Sequence, residues 1–398
     1  MDFSLSADQA MIKDSVDRFI ADAYSFDVRT KLAEGDLGFS REHWRTFAEL
    51  GWLGIAFPED CGGFGGTPVE TMILMEAFGK GLVLEPFVPS VVIGGSALAF
   101  GATTAAHREL LEGLIGGEVL LAPAYAEEGS GYDPAFVETR ARRDGGDFIV
   151  DGAKRAVPYA AAADRLVVSV RTRGDRGDAA GITVVLVDAN AAGVTRRDYR
   201  TVDGGRASDV SFSGVRVPAE AVLGEADAGL PLLERALDHG LGALAAEAVG
   251  IMSFMQRTTV EYLKVREQFG VPIGSFQALQ HRAVDMLIQL ELARSMCFYG
   301  TMALVDDADA RSRAKALSAT KVQVARSGRY VGQQAIQLHG GIGMSEEYAI
   351  GHYFKRMSML ELALGDVAYH LRRYVHLGRD LGDRRGSAID EPVAAGIA

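Results

Sequence analysis

The apolar period of this chain changes twice, which restricts it to a helical region, then a β region, then a second helical region. From residue 4 to about 120 the spacing is helical: Leu5, Met11, Ile12, Val16, Phe19 and Ile20 form a stripe at three- and four-residue intervals, with Asp8 or Ser6 able to cap its start. A Gly-rich loop over 58–66 interrupts this pattern before helix resumes at 69–79. Between about 121 and 225 the period becomes that of strands, at 147–151, 166–170 and 182–187, set between Gly- and Asp-rich turns. Short spacing without intervening helices predicts an antiparallel barrel or sandwich. Helix returns over 230–264, 277–305, 310–338 and 347–377, which predicts a four-helix bundle whose small-residue faces suit close packing and subunit contacts. The expected organisation is a helical domain over 1–120, a β domain over 121–225, a bundle over 226–382 and a mobile tail over 383–398.

At 398 residues, 48% of them hydrophobic, the chain can bury two or three cores. Its net charge of −12 argues against a broad nucleic-acid surface, so any basic site must be local. Cys61 and Cys297 form no CxxC pair, which suggests neither a zinc site nor a disulfide framework and fits a reducing cytoplasm. The start, Met1-Asp2-Phe3-Ser4, lacks the basic region and apolar core of a secretion signal. Residues 86–106 carry no charge and are long enough for a bilayer. Pro86, Pro89, Gly94-Gly95 and Thr103-Thr104 interrupt them, so a buried helix is expected and no membrane span.

Two segments carry the chemistry. The first runs Tyr262-Leu263-Lys264-Val265-Arg266-Glu267-Gln268-Phe269-Gly270-Val271-Pro272-Ile273, followed by Phe276-Gln277-Ala278-Leu279-Gln280-His281. It reads as a helix ending in an Arg, a break, and a second helix opening with amide and imidazole groups, an arrangement suited to a phosphate-bearing ligand. The second, Gln337-Leu338-His339-Gly340-Gly341-Ile342-Gly343-Met344, offers bare backbone for close approach. Taken alone, Arg266 could pair with Glu261 or Glu267 on the surface, and Gly340-Gly341 could be an ordinary helix break. His339 reads as a structural donor rather than a base.

Together the two segments, and the order of the three regions from residue 4 to about 380, resemble the acyl-CoA dehydrogenase family. In that family these segments hold the ADP portion of FAD, bound mainly in a neighbouring subunit. The resemblance therefore implies FAD as cofactor, Arg266, Phe269, Gln277, Gln337, Gly340 and Gly341 as its contacts, and an oligomer. It also implies the reaction: a Glu removes the α-proton of an acyl-CoA thioester while the β-hydride passes to flavin N5, with electrons leaving to an electron-transfer flavoprotein or similar acceptor. A thioester α-C–H is weakly acidic, so the base needs a desolvated site and a raised pKa.

In many family members that base lies in a Tyr-Glu-Gly-Thr-like run, whose place here reads Leu364-Gly365-Asp366-Val367; in others it lies on the first bundle helix, where Gly240 stands. Both carboxylates are missing. Two turns beyond Gly240, Glu247 sits within Ala245-Ala246-Glu247-Ala248-Val249, and it is the base we expect. The bland alternative is a buried Glu paired with an Arg or Lys of another helix. Glu346, Glu347 and Glu361 are held in reserve. The two glycines also lead us to expect a wide pocket, for a branched, dicarboxylic or ring-bearing acyl group. The runs at 69–79, Leu84-Glu85-Pro86 and His352-Tyr353-Phe354-Lys355-Arg356 resemble the small subunits of pimeloyl-CoA dehydrogenase-like and steroid side-chain dehydrogenases, which work beside a larger homologous subunit. The assembly is thus expected to be a homotetramer or such a heterotetramer. Two stretches depart from the family pattern where it meets the isoalloxazine: Ala126-Glu127-Glu128-Gly129-Ser130-Gly131-Tyr132-Asp133 and Lys154-Arg155-Ala156-Val157-Pro158-Tyr159. These departures favour a second reading, a non-catalytic companion subunit, and a third, an oxidase reacting with oxygen, stays open because it uses the same fold.

Overall fold

The structure, a computed structural model, describes residues 4–306 and 309–378, so the tail expected over 383–398 lies outside the described residues. The N-terminal helices are α1 (Ala7–Ala23), α2 (Phe26–Glu34), α3 (Arg41–Glu49) and α4 (Pro68–Gly81). Of the two caps considered for α1, Ser6 is the N-cap: its hydroxyl accepts the Gln9 N–H, and the Gln9 side chain accepts the Ser6 N–H in return. The uncharged stretch after α4 forms a wide π-helical run, Phe87–Gly95, that flows into α5 (Ser96–Gly101) and is followed by α6 (Ala105–Ile115). Its side chains are core, packed on the long helix described below. Among the described residues no helix is long and apolar enough to cross a membrane.

Eight strands follow: β1 (Leu121–Ala124), β2 (Arg140–Asp144), β3 (Asp147–Pro158), β4 (Arg165–Arg171), β5 (Ile182–Asp188), β6 (Val194–Arg200), β7 (Arg206–Val217) and β8 (Val222–Leu223). They pair in the order β6-β7-β3-β2-β4-β5-β8, with β1 alongside β4. Every pairing is antiparallel except β1–β4 and the single Arg140–Arg171 pair that joins β2 to β4. About that weak joint the two halves face each other. Phe148, Val150, Val210 and Phe212 from one side share a core with Leu166, Val168, Val185 and Val187 from the other, which makes a sandwich rather than a closed barrel.

The C-terminal region begins with α7 (Leu230–Val265), the hairpin strands β9 (Glu267–Gln268) and β10 (Val271–Pro272), α8 (Gln277–Asp306) and α9 (Ala310–His339). The helix expected over 347–377 is two helices, α10 (Ala349–Leu362) and α11 (Val367–Gly378). The cause is local. Leu364 (φ 57°) and Gly365 (φ 114°) leave helical space, and Lys321 Nζ donates to the carbonyls of Leu360 and Ala363, two of those that a continuing helix would use.

One packing feature fixes the geometry of the site. A Cβ on Gly79 of α4 would lie 2.1 Å from the Glu247 carbonyl oxygen, and one on Gly250 of α7 would lie 2.0 Å from that of Glu76. Only glycine at both places lets the two backbones touch at the level of Glu247.

Candidate active site

Where the three regions meet lies a cleft of about 470 Å³. Met75 and Phe78 of α4 and the 82–89 connection form one wall, Ala156, Pro158, Tyr159 and Tyr199 of the sandwich a second, and Glu247, Arg356, Met359 and Leu364 of the helical region the third. Glu247 is therefore at a cleft wall, though only 4% exposed. Arg356 of α10 grips it with two parallel bonds, Nε to Oε1 at 2.6 Å and Nη2 to Oε2 at 2.9 Å, and reaches Asp203 Oδ2 with Nη1 at 2.8 Å. Burial alone would lower the Arg356 pKa, but the Glu247 and Asp203 carboxylates outweigh it and hold the guanidinium above its ordinary value. Burial likewise pushes Asp203 upward, against which Arg356 and the Thr201 hydroxyl hold it below the usual carboxylate range.

The pairing of a buried Glu with an Arg from another helix, the bland alternative for Glu247, is thus present in the fold, and the same Glu lines the cleft. None of the reserves does. Glu361 pairs with Arg329 at 2.9 Å, Glu346 with Lys355 at 2.5 Å, and Glu347 lines a separate surface groove. Asp203 and Glu85 are the other carboxylates on the cleft wall among the described residues. Glu85 is held by the Tyr24 hydroxyl at 2.8 Å, the Ser40 N–H at 3.2 Å and His43 Nδ1 at 3.2 Å. Arg356 and Glu85 fall within sequence motifs that give neither a partner, and Asp203 falls outside them. The Asp203-Gly204-Gly205 turn was the signal available for it.

The two glycines do not open the pocket as expected. A Cβ on Gly240 would sit 2.8 Å from Ile93 and 3.0 Å from Leu364, and one on Gly365 would sit 2.5 Å from Tyr369 and 2.6 Å from His370. Neighbouring side chains already fill the space that a carboxylate would have taken.

The six residues expected to contact FAD lie elsewhere, at the far end of the helical region. About 28 Å of α7 separates Glu247 from Arg266, at 1.5 Å per residue. The Tyr262 and His339 rings stack at 4.4 Å and bring the end of α7 to the end of α9, so the Arg266 and Gly340-Gly341 segments adjoin. Arg266, Phe269, Gln277, Gln337, Gly340 and Gly341 are all exposed, and Phe269 is 92% exposed on the β9–β10 turn. Nothing lies within 4 Å of a Cβ placed on Gly340 or Gly341, and Glu261 pairs with Lys264 at 2.6 Å. A cation, an aromatic face, two amides and bare backbone on one open surface fit the chemistry of a nucleotide docked from outside. His339 bears out its structural reading: it donates through Nδ1 to the Ala335 carbonyl at 2.8 Å, and burial lowers its pKa.

Comparison with known proteins agrees along most of the chain. Residues 6–118 match the acyl-CoA dehydrogenase N-terminal domain, 122–215 the middle domain and 227–375 the C-terminal domain. The chain belongs to the acyl-CoA dehydrogenase family. It is 29% identical over 370 residues to a probable acyl-CoA dehydrogenase, YngJ, of Bacillus subtilis, covering 92% of this chain and 96% of that one. Among solved structures it resembles the Tcur3481–Tcur3483 steroid acyl-CoA dehydrogenase (TM-score 0.84, 29% identity, 93% and 97% covered). It also resembles the ChsE4–ChsE5 complex from Mycobacterium tuberculosis (TM-score 0.83, 26% identity, 94% and 98% covered).

For an acyl-CoA dehydrogenase, the two divergent stretches of the middle domain have a plain structural use. Lys154 is buried and donates to Glu127 at 2.7 Å, Ser169 at 3.0 Å and the Tyr125 carbonyl at 3.3 Å; burial pushes it down to about 8 against the pull of Glu127. Arg155 joins Glu128 to Asp209. These pairs tie the 126–133 loop to β3, and Ala156 and Tyr159, both at positive φ, turn the end of β3 along the cleft.

Proposed function

We propose that this chain is a subunit of an FAD-dependent enzyme that dehydrogenates an acyl-CoA at its α,β bond. The observation that carries the reading is the cleft at the three-region junction with Glu247 on its wall. FAD, when bound, supplies the hydride acceptor. Arg266, Phe269, Gln277, Gln337, Gly340 and Gly341 hold its ADP end, and because they lie far along α7 from Glu247, they serve the cleft of a neighbouring subunit. Glu247 takes the α-proton. Arg356 orients the carboxylate by holding both of its oxygens, and it retains Asp203 as a partner when Glu247 accepts the proton. The apolar walls exclude water from the weakly acidic C–H.

The substrate is a bulky, branched or dicarboxylic acyl thioester, a reading that leans on the likeness to a steroid acyl-CoA dehydrogenase. Electrons pass to an electron-transfer flavoprotein or similar acceptor. The assembly is a homotetramer or a heterotetramer with a larger homologous subunit. Free, buried Cys61 and Cys297 support a cytoplasmic setting.

Recording the visible spectrum of the purified chain and adding acyl-CoAs without oxygen tests this. Flavin bleaching that disappears in Glu247→Gln establishes the reading, since the amide keeps the shape and cannot take the proton. One observation favours a second reading: both Glu247 oxygens are already engaged by Arg356. In that reading the chain is a non-catalytic companion that completes a partner's FAD site. A colourless chain that gains flavin only with a co-expressed partner, with unchanged turnover in Glu247→Gln, selects it.

A further inference from the structure

Beyond the cleft lies a second, separate cavity of about 190 Å³, lined mostly by apolar side chains, among them Phe57, Met72, Val92, Phe100 and Ala243. It exceeds the roughly 150 Å³ at which a dry, apolar cavity in a protein takes up benzene or xenon. The two spaces adjoin. Ala243 lines the cavity and Glu247 the cleft, one helical turn apart on α7, which is about 6 Å along the axis. On the facing π-helical run, Val91 lines the cavity, Val88 the cleft, and Phe87 both. Phe87 is 2% exposed, with its ring edge-on to Phe78 at 5.4 Å. The partition is therefore about one side chain thick.

We propose that Phe87 is a specificity-determining residue: its ring closes the cleft off from the apolar cavity and so limits how far an acyl tail can extend. The inference rests on the reading of the cleft as an acyl-CoA site. The recognised group is the apolar end of an acyl chain, and what the ring excludes is a tail several carbons longer than the cleft holds. π-Helical turns recur at functional sites, and here the wider turn belongs to the wall that sorts the tail.

The test compares the full-length protein, co-expressed with its partner if it needs one, with Phe87→Ala and the milder Phe87→Leu across acyl-CoAs of increasing chain length. Removing the ring should raise kcat/KM for the longer acyl groups by about tenfold or more relative to the shorter ones. Ala243→Met, which fills the cavity, should cancel that gain in the double variant while leaving the short substrates unaffected. An unchanged chain-length profile in both Phe87 variants, or a gain that survives Ala243→Met, overturns the proposal. Xenon-pressurised crystals read the partition without reference to activity. Xenon confined to the cavity in the wild type and running on into the cleft in Phe87→Ala supports it; the same distribution in both proteins overturns it. A wild type that handles no acyl-CoA at any length removes the proposed function, and the xenon result still decides whether Phe87 divides the two spaces.

Discussion

At the scale of single residues, the chain of charge Glu247–Arg356–Asp203 dominates, two buried carboxylates on a half-buried guanidinium. Replacing Arg356 with Met leaves two carboxylates in a largely dry site without their cation, which should cost about 3–5 kcal/mol, read as a lower urea midpoint at unchanged slope. Lys321 gives a second prediction. Burial pushes it down to about 7 from an ordinary 10.5, so between those pH values the unfolded chain holds a proton that the folded chain lacks. Its contribution to stability therefore rises with pH across that window and falls as pH drops through 7. Unfolding free energies of the wild type and Lys321→Met, measured from pH 6.5 to 10, should show the steeper rise in the wild type. Glu247 stands out in the sequence because a carboxylate within so apolar a helix needs a reason, either as a base or in a pair with a cation. That the partner is Arg356, 109 positions away, was invisible, since pairing across the fold leaves no local period.

At the scale of elements, helix existence and type followed from apolar spacing, and the sandwich from period two. The break between α10 and α11 did not, because its cause lies on α9, in the Lys321 side chain. Gly365→Ala should destabilise the protein by about 2 kcal/mol or more: the added methyl meets Tyr369 and His370, and the positive φ strains any side chain. Thermal unfolding would register this as a lower Tm. On α8, Val284, Leu287, Ile288, Leu292, Tyr299, Met302 and Val305 stand exposed, most of them three, four or seven residues from the next and so along one side of the helix. A row of that kind on a single chain calls for a covering partner. Ile288→Asp with Leu292→Asp should split the assembly, which light scattering on a sizing column would show as a smaller mass.

At the scale of the molecule, the family and the order of its three regions were legible, because two short motifs and two changes of period extend over nearly the whole chain. The cleft was less so: it is assembled from three regions, and the room expected at Gly240 and Gly365 is taken by side chains that come from elsewhere in sequence. In the proposed reading the residues assigned to FAD sit on one surface and the cleft on another, so the working unit proposed for them needs more than one chain. Dilution below the assembly's dissociation constant should release flavin and abolish bleaching together, followed by absorbance and activity on the same samples.

The glycine contact between α4 and α7 sets a further condition on how such a cleft can diverge. With Gly79 and Gly250 setting the two backbones at touching distance beside Glu247, any side chain at either position would force those helices apart. A lineage changing its diet must do so by trimming or swapping the side chains that project from this fixed frame, so substrate range in such proteins should track a handful of wall positions while the helix spacing stays constant.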